Sequence, residues 1–138
     1  MKDVDEISGD VLDVSIKLHR ELGPGLMESV YETILAAKLQ GMGYSVDRQR
    51  PIDIEYDGMV FAAAFRIDLW VERRLLIEIK SIERLGAAHA KQLLTYLRLT
   101  RQPVGLLINF GGATLVEGFR RLVNNHNPSA SPRLCANQ

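Results

Sequence analysis

The sequence lacks most of the features that mark specialised classes of protein. Its 138 residues include one cysteine, Cys135, so no disulfide can form within the chain and we expect a cytoplasmic protein. No apolar run approaches the roughly 20 residues that a membrane-spanning helix needs. The acidic start lacks the apolar stretch of a secretory signal. We therefore expect neither a disulfide-stapled domain nor a membrane protein.

An excess of charge of one sign is also missing, because 17 Lys and Arg residues balance 17 Asp and Glu residues. A protein that coats nucleic acid is usually basic, so this balance counts against such a role. It does not exclude an enzyme that contacts a few phosphates locally. The length and the 46% of hydrophobic residues fit one domain with a core of ordinary size.

Hydrophobic periodicity predicts two helices followed by strands. Apolar residues recur every three or four positions over residues 4–22 and again over 27–40, which is typical of amphipathic helices. Gly23-Pro24-Gly25 separates the two, since Pro cannot continue a helix and Gly suits its left-handed cap. From residue 44 the period changes to two, which indicates half-buried strands.

The second half of the chain continues this alternation and then returns to a helix. The predicted elements are strands 44–46, 52–56, 59–64, 65–71 and 75–80, a helix 87–99 and an apolar strand 104–110. Turns are predicted at Asp57-Gly58 and around Arg73. Residues 115–123 fit either a short strand or a helix. The order predicts a single α/β (α+β) domain over residues 1–124, with a flexible tail at 125–138.

Asp68, Glu78 and Lys80 form the pattern that carries chemistry. Side chains two apart on a strand share a face, so Glu78 and Lys80 lie side by side. If the intervening loop centres on Arg73, Asp68 lies opposite Glu78, and a slip of one residue would separate them. Two converging carboxylates repel each other without a cation, and oxygen ligands suit Mg²⁺ or Mn²⁺. A neighbouring lysine then predicts metal-assisted hydrolysis of phosphodiester bonds.

The same spacing also fits an ordinary salt bridge between Glu78 and Lys80 on an edge strand, with Asp68 exposed. The neighbouring residues favour the metal site. Asp68 stands between Ile67 and Leu69, and the strand that carries Glu78 is too apolar for a solvated edge. Charges in such surroundings need a partner or a metal.

Further motifs surround this pattern, and their order along the chain resembles that of one family. They are the G-x-x-E-x-x-Y run Gly25–Tyr31, Phe65-Arg66-Ile67-Asp68, Glu78-Ile79-Lys80, Gln92–Leu97 and Gly105–Phe110. Over residues 4–123 the chain resembles the GxxExxY protein family, a branch of the PD-(D/E)xK nuclease superfamily. The resemblance implies a restriction-endonuclease-like domain with a central mixed β-sheet flanked by helices.

The resemblance also implies the roles of the acidic residues and the lysine. Asp68 and Glu78 would be the metal ligands, with the Ile79 carbonyl as a further candidate. Glu28 would reach the metal or its water shell from a helix, and Lys80 would be the catalytic lysine. From the residues alone, Glu28 also suits the start of a helix, where the helix dipole favours a carboxylate.

Three more residues are implied to support the site. Gln92 and Tyr96 match the Q-x-x-x-Y element of RecB-like nucleases, and residues four apart share one helix face. They would support the site or contact DNA, although an exposed Gln92 and a core-edge Tyr96 fit the sequence as well. Tyr31 would either hydrogen-bond a carboxylate or pack with a polar tip. His89 could contact phosphate, but a lone surface histidine explains it equally.

Two functions follow as hypotheses. The first is a Mg²⁺- or Mn²⁺-dependent nuclease that acts on nucleic acid, with DNA favoured over RNA. The second is a catalytically silent module of the same fold that binds nucleic acid or a partner protein, which the neutral charge favours. A homodimer is a further hypothesis, because nucleases of this type often pair to cut both strands.

Overall fold

A computed structural model of the protein describes residues 2–125 and, as backbone alone, residues 133–134. Within these residues the helices are α1 (Val4–Leu22), α2 (Glu28–Gly41) and α3 (Ala87–Thr100). The strands are β1 (Val46–Tyr56), β2 (Met59–Val71), β3 (Leu75–Lys80), β4 (Val104–Asn109), β5 (Phe119–Val123) and β6 (Arg133–Leu134). They form one sheet in the order β5-β4-β3-β2-β1-β6. This arrangement confirms the predicted α/β domain.

The sheet is mixed and its most buried strands lie in the middle. β3 and β4 run parallel, and the crossover between them contains α3. The other neighbouring strands are antiparallel. Every residue of β4 is buried, as its nearly uninterrupted apolar sequence predicted. The parallel pair therefore brings the carboxyl ends of β3 and β4 to one edge of the core.

Two apolar clusters lie on opposite faces of this sheet. The first joins α1 and α2 to the sheet and contains Ile77 and Ile79 of β3. The second joins α3 to the sheet and contains Leu76 of β3 and Trp70 of β2. β3 is therefore buried on both faces, which makes any charged side chain on it energetically costly.

The ends of α1 follow from its sequence. Asp3 caps the start, because its carboxylate accepts a hydrogen bond from the Glu6 backbone N–H at 2.8 Å, and Glu6 reaches back to the Asp3 N–H. Gly23 ends the helix with φ of 76°, a left-handed value that favours glycine. The predicted stop at Gly23-Pro24-Gly25 is confirmed.

The strand boundaries differ from the prediction in the hairpin before β3. We predicted separate strands at 44–46 and 52–56 and at 59–64 and 65–71, whereas the structure has one long strand in each place. Two residues with positive φ, Gln49 at 48° and Ala63 at 50°, lie inside these strands. A register shift also falls between Ile52 and Ile54. The strands absorb these local irregularities as bends and continue to pair.

The structure decides between the two predictions for residues 115–123. Residues 115–123 contain both a short 3-10 turn, Val116–Gly118, and the strand β5. The predicted flexible tail lies outside the described residues, as does Cys135, except that the backbone of β6 pairs with Ile54 and Glu55 of β1. Among the helices that the structure describes, none combines the length and the apolar character needed to cross a membrane.

Candidate metal and catalytic site

β2 and β3 place the predicted carboxylates. The two strands pair around Arg73, with Cα partners Leu69–Ile77, Trp70–Leu76 and Val71–Leu75. The predicted register is confirmed over these three pairs, and the same register continued by one residue would set Asp68 opposite Glu78. The placement of both carboxylates on one face of the sheet stays a prediction.

The carboxylate of Asp68 is held at both oxygens. Its Oδ2 accepts a hydrogen bond from the Ile79 backbone N–H at 2.9 Å. Its Oδ1 accepts one from the side-chain amide of Gln49 at 3.2 Å. Asp68 is half-buried, so these two bonds fix the direction of a carboxylate that solvent still reaches.

Glu78 is the most unusual charged residue of the site. Its side chain is buried, with 7% of the residue exposed, and its Oε1 has no hydrogen-bond partner among residues 2–125. Burial raises the pKa of Glu78 to about 8, and the negative charge of Asp68 adds to this rise. The Lys80 ammonium acts in the opposite direction with a smaller effect. Without a cation, burial and the charge of Asp68 therefore favour the protonated form of Glu78.

Lys80 ends β3 at the edge where the parallel strands finish. Its backbone carbonyl accepts a hydrogen bond from the Phe110 N–H at 2.8 Å, which ties the end of β3 to the end of β4. The Lys80 ammonium makes no hydrogen bond or ion pair with the residues that the structure describes. It is thus a half-buried positive charge that acts on the Glu78 carboxylate and forms no salt bridge with the described residues.

Glu28 stands at the mouth of a cleft beside Asp68. It is the first residue of α2 and is exposed. A cleft of about 740 Å³ is lined by both Glu28 and Asp68. Within residues 2–125, no group of three or more His, Cys, Asp and Glu side chains is gathered so that it could hold a metal ion. The ligand role of Glu28 therefore stays a prediction.

Tyr31 supports the loop that leads into α2. It is fully buried, and its ring stacks on Phe110 with centroids 4.4 Å apart. Its hydroxyl donates to the Gly23 carbonyl at 2.6 Å and accepts from the Leu26 N–H at 3.2 Å. Of the two predicted alternatives, the structure shows packing with a polar tip, and the tip binds backbone rather than a carboxylate.

α3 packs on the face of the sheet opposite α1 and α2 and brings Tyr96 near Glu78 and Asp68. The Tyr96 ring stacks on Phe65 of β2, with centroids 4.1 Å apart and planes 7° apart. Burial raises the pKa of the Tyr96 hydroxyl, and the negative charges of Glu78 and Asp68 raise it further. Gln92, one turn earlier, is exposed and makes no hydrogen bond with the described residues. Its predicted contact with DNA stays a prediction.

The histidines that the structure describes have local roles. The Nδ1 of His89 accepts a hydrogen bond from the Gly86 N–H at 3.0 Å, which closes the start of α3. The Nε2 of His19 lies 3.1 Å from the Gly112 carbonyl. One ring nitrogen of His89 is therefore occupied by a hydrogen bond at the start of α3.

Sequence reasoning missed a second polar group beside Asp68. Glu32 and Arg48 line the same cleft, together with Gln49. The spacing could have revealed Glu32, because it follows Glu28 by four residues and so shares its helix face. Gln49 carried no comparable signal, since only the pairing of β1 with β2 brings it to Asp68.

Comparison with known proteins gives one finding. A family model described as the PD-(D/E)XK nuclease superfamily matches residues 5–122. No curated protein and no solved structure matches the chain. The matched range covers the strands that carry Asp68, Glu78 and Lys80 and the helices on both sides of them.

Proposed function

Because the chain belongs to the PD-(D/E)XK nuclease superfamily, we propose that it is a nuclease that hydrolyses phosphodiester bonds of nucleic acid, with DNA favoured over RNA. Superfamily membership supports a nuclease-type function in general. The observation that carries the specific proposal is the buried Glu78, whose Oε1 has no hydrogen-bond partner among residues 2–125 and whose pKa the nearby Asp68 helps to raise. Such an arrangement opposes folding, and a cation would relieve it.

Nucleases of this superfamily generally use divalent metal ions, and the residues present fit one. Asp68 and Glu78 would hold Mg²⁺ or Mn²⁺, which keep several water ligands and so need few protein ligands. Glu28, across the cleft, would contact the water shell. When bound, the ion would polarise the phosphate and offset its negative charge.

The remaining chemistry belongs to the side chains. The bond from the Ile79 N–H fixes one oxygen of Asp68, so its other oxygen has a defined direction. Glu78 must lose its proton to act as a ligand, and the nearby Lys80 ammonium favours that loss because a positive charge stabilises the carboxylate. Lys80 would also hold the attacking water or stabilise negative charge that develops on the phosphate.

Two accompanying proposals concern assembly and location. A duplex has two strands and this domain carries one candidate site, so we propose that cleavage of both strands uses a homodimer. Sedimentation of the protein with and without duplex DNA tests this. We also propose a cytoplasmic location, on the single cysteine of the sequence.

The decisive experiment compares hydrolysis by the natural protein and by Lys80→Ala. Single- and double-stranded DNA and RNA are incubated with each protein and Mn²⁺. We expect cleavage by the natural protein and a loss of at least about 100-fold in Lys80→Ala. Lys38→Ala is the matched control, because Lys38 is an exposed lysine near the end of α2. Equal rates for the natural protein and Lys80→Ala would contradict the proposal.

The same reagents separate the enzyme from a silent binding module of this fold. A silent module would bind nucleic acid in a salt-dependent manner without turnover, since phosphate contacts release counterions. Binding without cleavage under every metal condition would favour this second function, which the balanced charge of the chain makes a genuine competitor.

A further inference from the structure

Glu32 is a buried carboxylate that the proposed chemistry does not use. It lies on α2 and is 5% exposed. Its Oε2 accepts a hydrogen bond from Arg48 at 3.2 Å, and its Oε1 accepts one from the side-chain amide of Gln49 at 2.5 Å. Both partners of Glu32 thus lie on β1, and one of them, Gln49, also donates a hydrogen bond to Asp68.

Gln49 connects the two carboxylates. Its Nε2 donates both to Glu32 Oε1 and to Asp68 Oδ1, at 2.5 and 3.2 Å. A side-chain amide nitrogen carries two protons, so one group can serve both acceptors at once. Glu32 therefore fixes the orientation of the amide, and the amide in turn reaches Asp68.

The backbone of Gln49 adopts an uncommon conformation. Its φ is 48°, within the left-handed region that non-glycine residues rarely adopt. In the pairing of β1 with β2, Arg48 lies opposite Leu69 and Arg50 opposite Ile67. Gln49 between them comes opposite Asp68. Ala63 on β2 has a similar φ of 50°, so what distinguishes Gln49 is that its side chain bonds both Glu32 and Asp68.

We propose that Gln49 is a positioning residue for Asp68. Anchored by Glu32, its amide holds one oxygen of Asp68 while the Ile79 N–H holds the other, so the carboxylate keeps one direction next to Glu78. This inference rests on the proposed function, because a carboxylate that binds a metal ion gains affinity when its direction is fixed beforehand.

The first test needs neither metal nor activity. Gln49→Asn and Gln49→Gly both tolerate the left-handed backbone, but the first variant has an amide one methylene too short to span from Glu32 to Asp68 and the second has no amide. In metal-free protein we expect the Ile79 amide proton to change its NMR shift and to exchange faster with solvent, because Asp68 loses one of its two restraints. Ala63→Gly is the matched control: Ala63 is also left-handed, with φ of 50°, but it is exposed and lies in the exposed first half of β2, before the buried half that carries Asp68.

The second test measures Mn²⁺ affinity by calorimetry in the same proteins. We expect a loss of about 10- to 100-fold in Gln49→Asn, as for other residues that orient metal ligands, and no change in Ala63→Gly. Glu32→Gln should act in the same direction as Gln49→Asn, because the anchor of the amide is weakened. Melting temperatures verify that each variant is folded. If Gln49→Asn does not fold, Gln49→Gly, which relieves the backbone strain, takes its place in both tests.

The outcomes separate this inference from the proposed function. If the Ile79 amide is unchanged in folded Gln49 variants, the positioning role is overturned whether or not the protein binds metal. If the amide changes while the natural protein binds no Mn²⁺, Gln49 positions Asp68 and the proposed metal site fails. Equal Mn²⁺ affinity of the natural protein and Gln49→Asn would also overturn the inference.

Discussion

Glu78 and Ile79 are consecutive residues of β3, and both are nearly inaccessible to solvent, at 7% and 1% exposed. Ile79 faces the apolar cluster beneath α1 and α2. Glu78 faces the opposite way, towards Asp68 and Tyr96, with one carboxylate oxygen unpaired. Burial of an isoleucine side chain stabilises a fold by about 1.5–3 kcal/mol, whereas burial of an uncompensated carboxylate opposes folding.

The comparison of Ile79 with Glu78 shows that residues of one strand are buried for two different reasons. The apolar face of β3 contributes stability, and the polar face is kept at the expense of stability. Departures of this kind are expected at functional sites, where activity and stability conflict. The comparison can be tested by changing each face separately.

The largest expected effect is on the apolar face. Ile79→Ala should lower the free energy of unfolding by about 2–5 kcal/mol, because a buried cavity replaces the side chain. The bond from the Ile79 N–H to Asp68 is made by backbone and survives the change. Urea unfolding gives the first quantity and Mn²⁺ titration the second. A variant that kept its stability but lost metal binding would reverse the roles assigned to the two faces.

The polar face should make the stability of the metal-free protein depend on pH. Glu78 has a pKa of about 8 in the folded protein against an ordinary value of 4.5. Between these values the folded state binds more protons than the unfolded state, so stability falls as pH rises, by at most about 1.4 kcal/mol per pH unit. The contribution is fully present below pH 4.5 and is lost as pH passes through about 8.

Glu78→Gln is the control for this pH dependence. The glutamine side chain does not titrate and matches glutamate in shape, so the decline of stability between pH 5 and 8, on the order of a few kcal/mol in the natural protein, should flatten. Urea unfolding at a series of pH values measures it. A decline that persists unchanged in Glu78→Gln would assign it to another group.

Binding of Mn²⁺ should offset the loss of stability that the buried carboxylate on the polar face of β3 causes. At a free concentration of 100 times the dissociation constant, an ion that binds the folded state alone adds about 2.7 kcal/mol of stability. Thermal unfolding with and without Mn²⁺ measures this gain, which we expect to vanish in Asp68→Asn. Asp13→Asn is the matched control, because Asp13 is an exposed aspartate on α1. An equal gain in both variants would place the ion elsewhere.

The smallest expected effect concerns the stacked rings of Phe65 and Tyr96. Phe65→Leu removes the stack on Tyr96 and should lower the free energy of unfolding by about 0.5–1.5 kcal/mol. It should also move the Tyr96 pKa down towards its ordinary value, because burial is the main cause of the rise. Phenolate absorbance during a pH titration reports that pKa. Phe61→Leu, an exposed aromatic on the same strand, is the control.

The sequence predicted the register of β2 and β3 because that register depends on local features. Alternation assigns each side chain to a face, and the loop around Arg73 fixes which residues are opposite. The helices were predictable for the same reason, as the apolar stripe and the glycine stop of α1 show. By contrast, β1 was predicted as two strands because residues 47–51 are polar and end in a proline, whereas pairing with β2 carries the strand through them.

The sequence by itself thus determined the helices, the alternating strands, and the register in which β2 and β3 pair around Arg73. Only the tertiary structure decided that Glu78 is buried without a partner for its Oε1, that Gln49 links Glu32 to Asp68, and that Tyr31 binds backbone. The physical reason is the range of the interactions. Periodicity and turn length act over a few residues, whereas burial and these hydrogen bonds depend on segments that meet only when the sheet and helices pack.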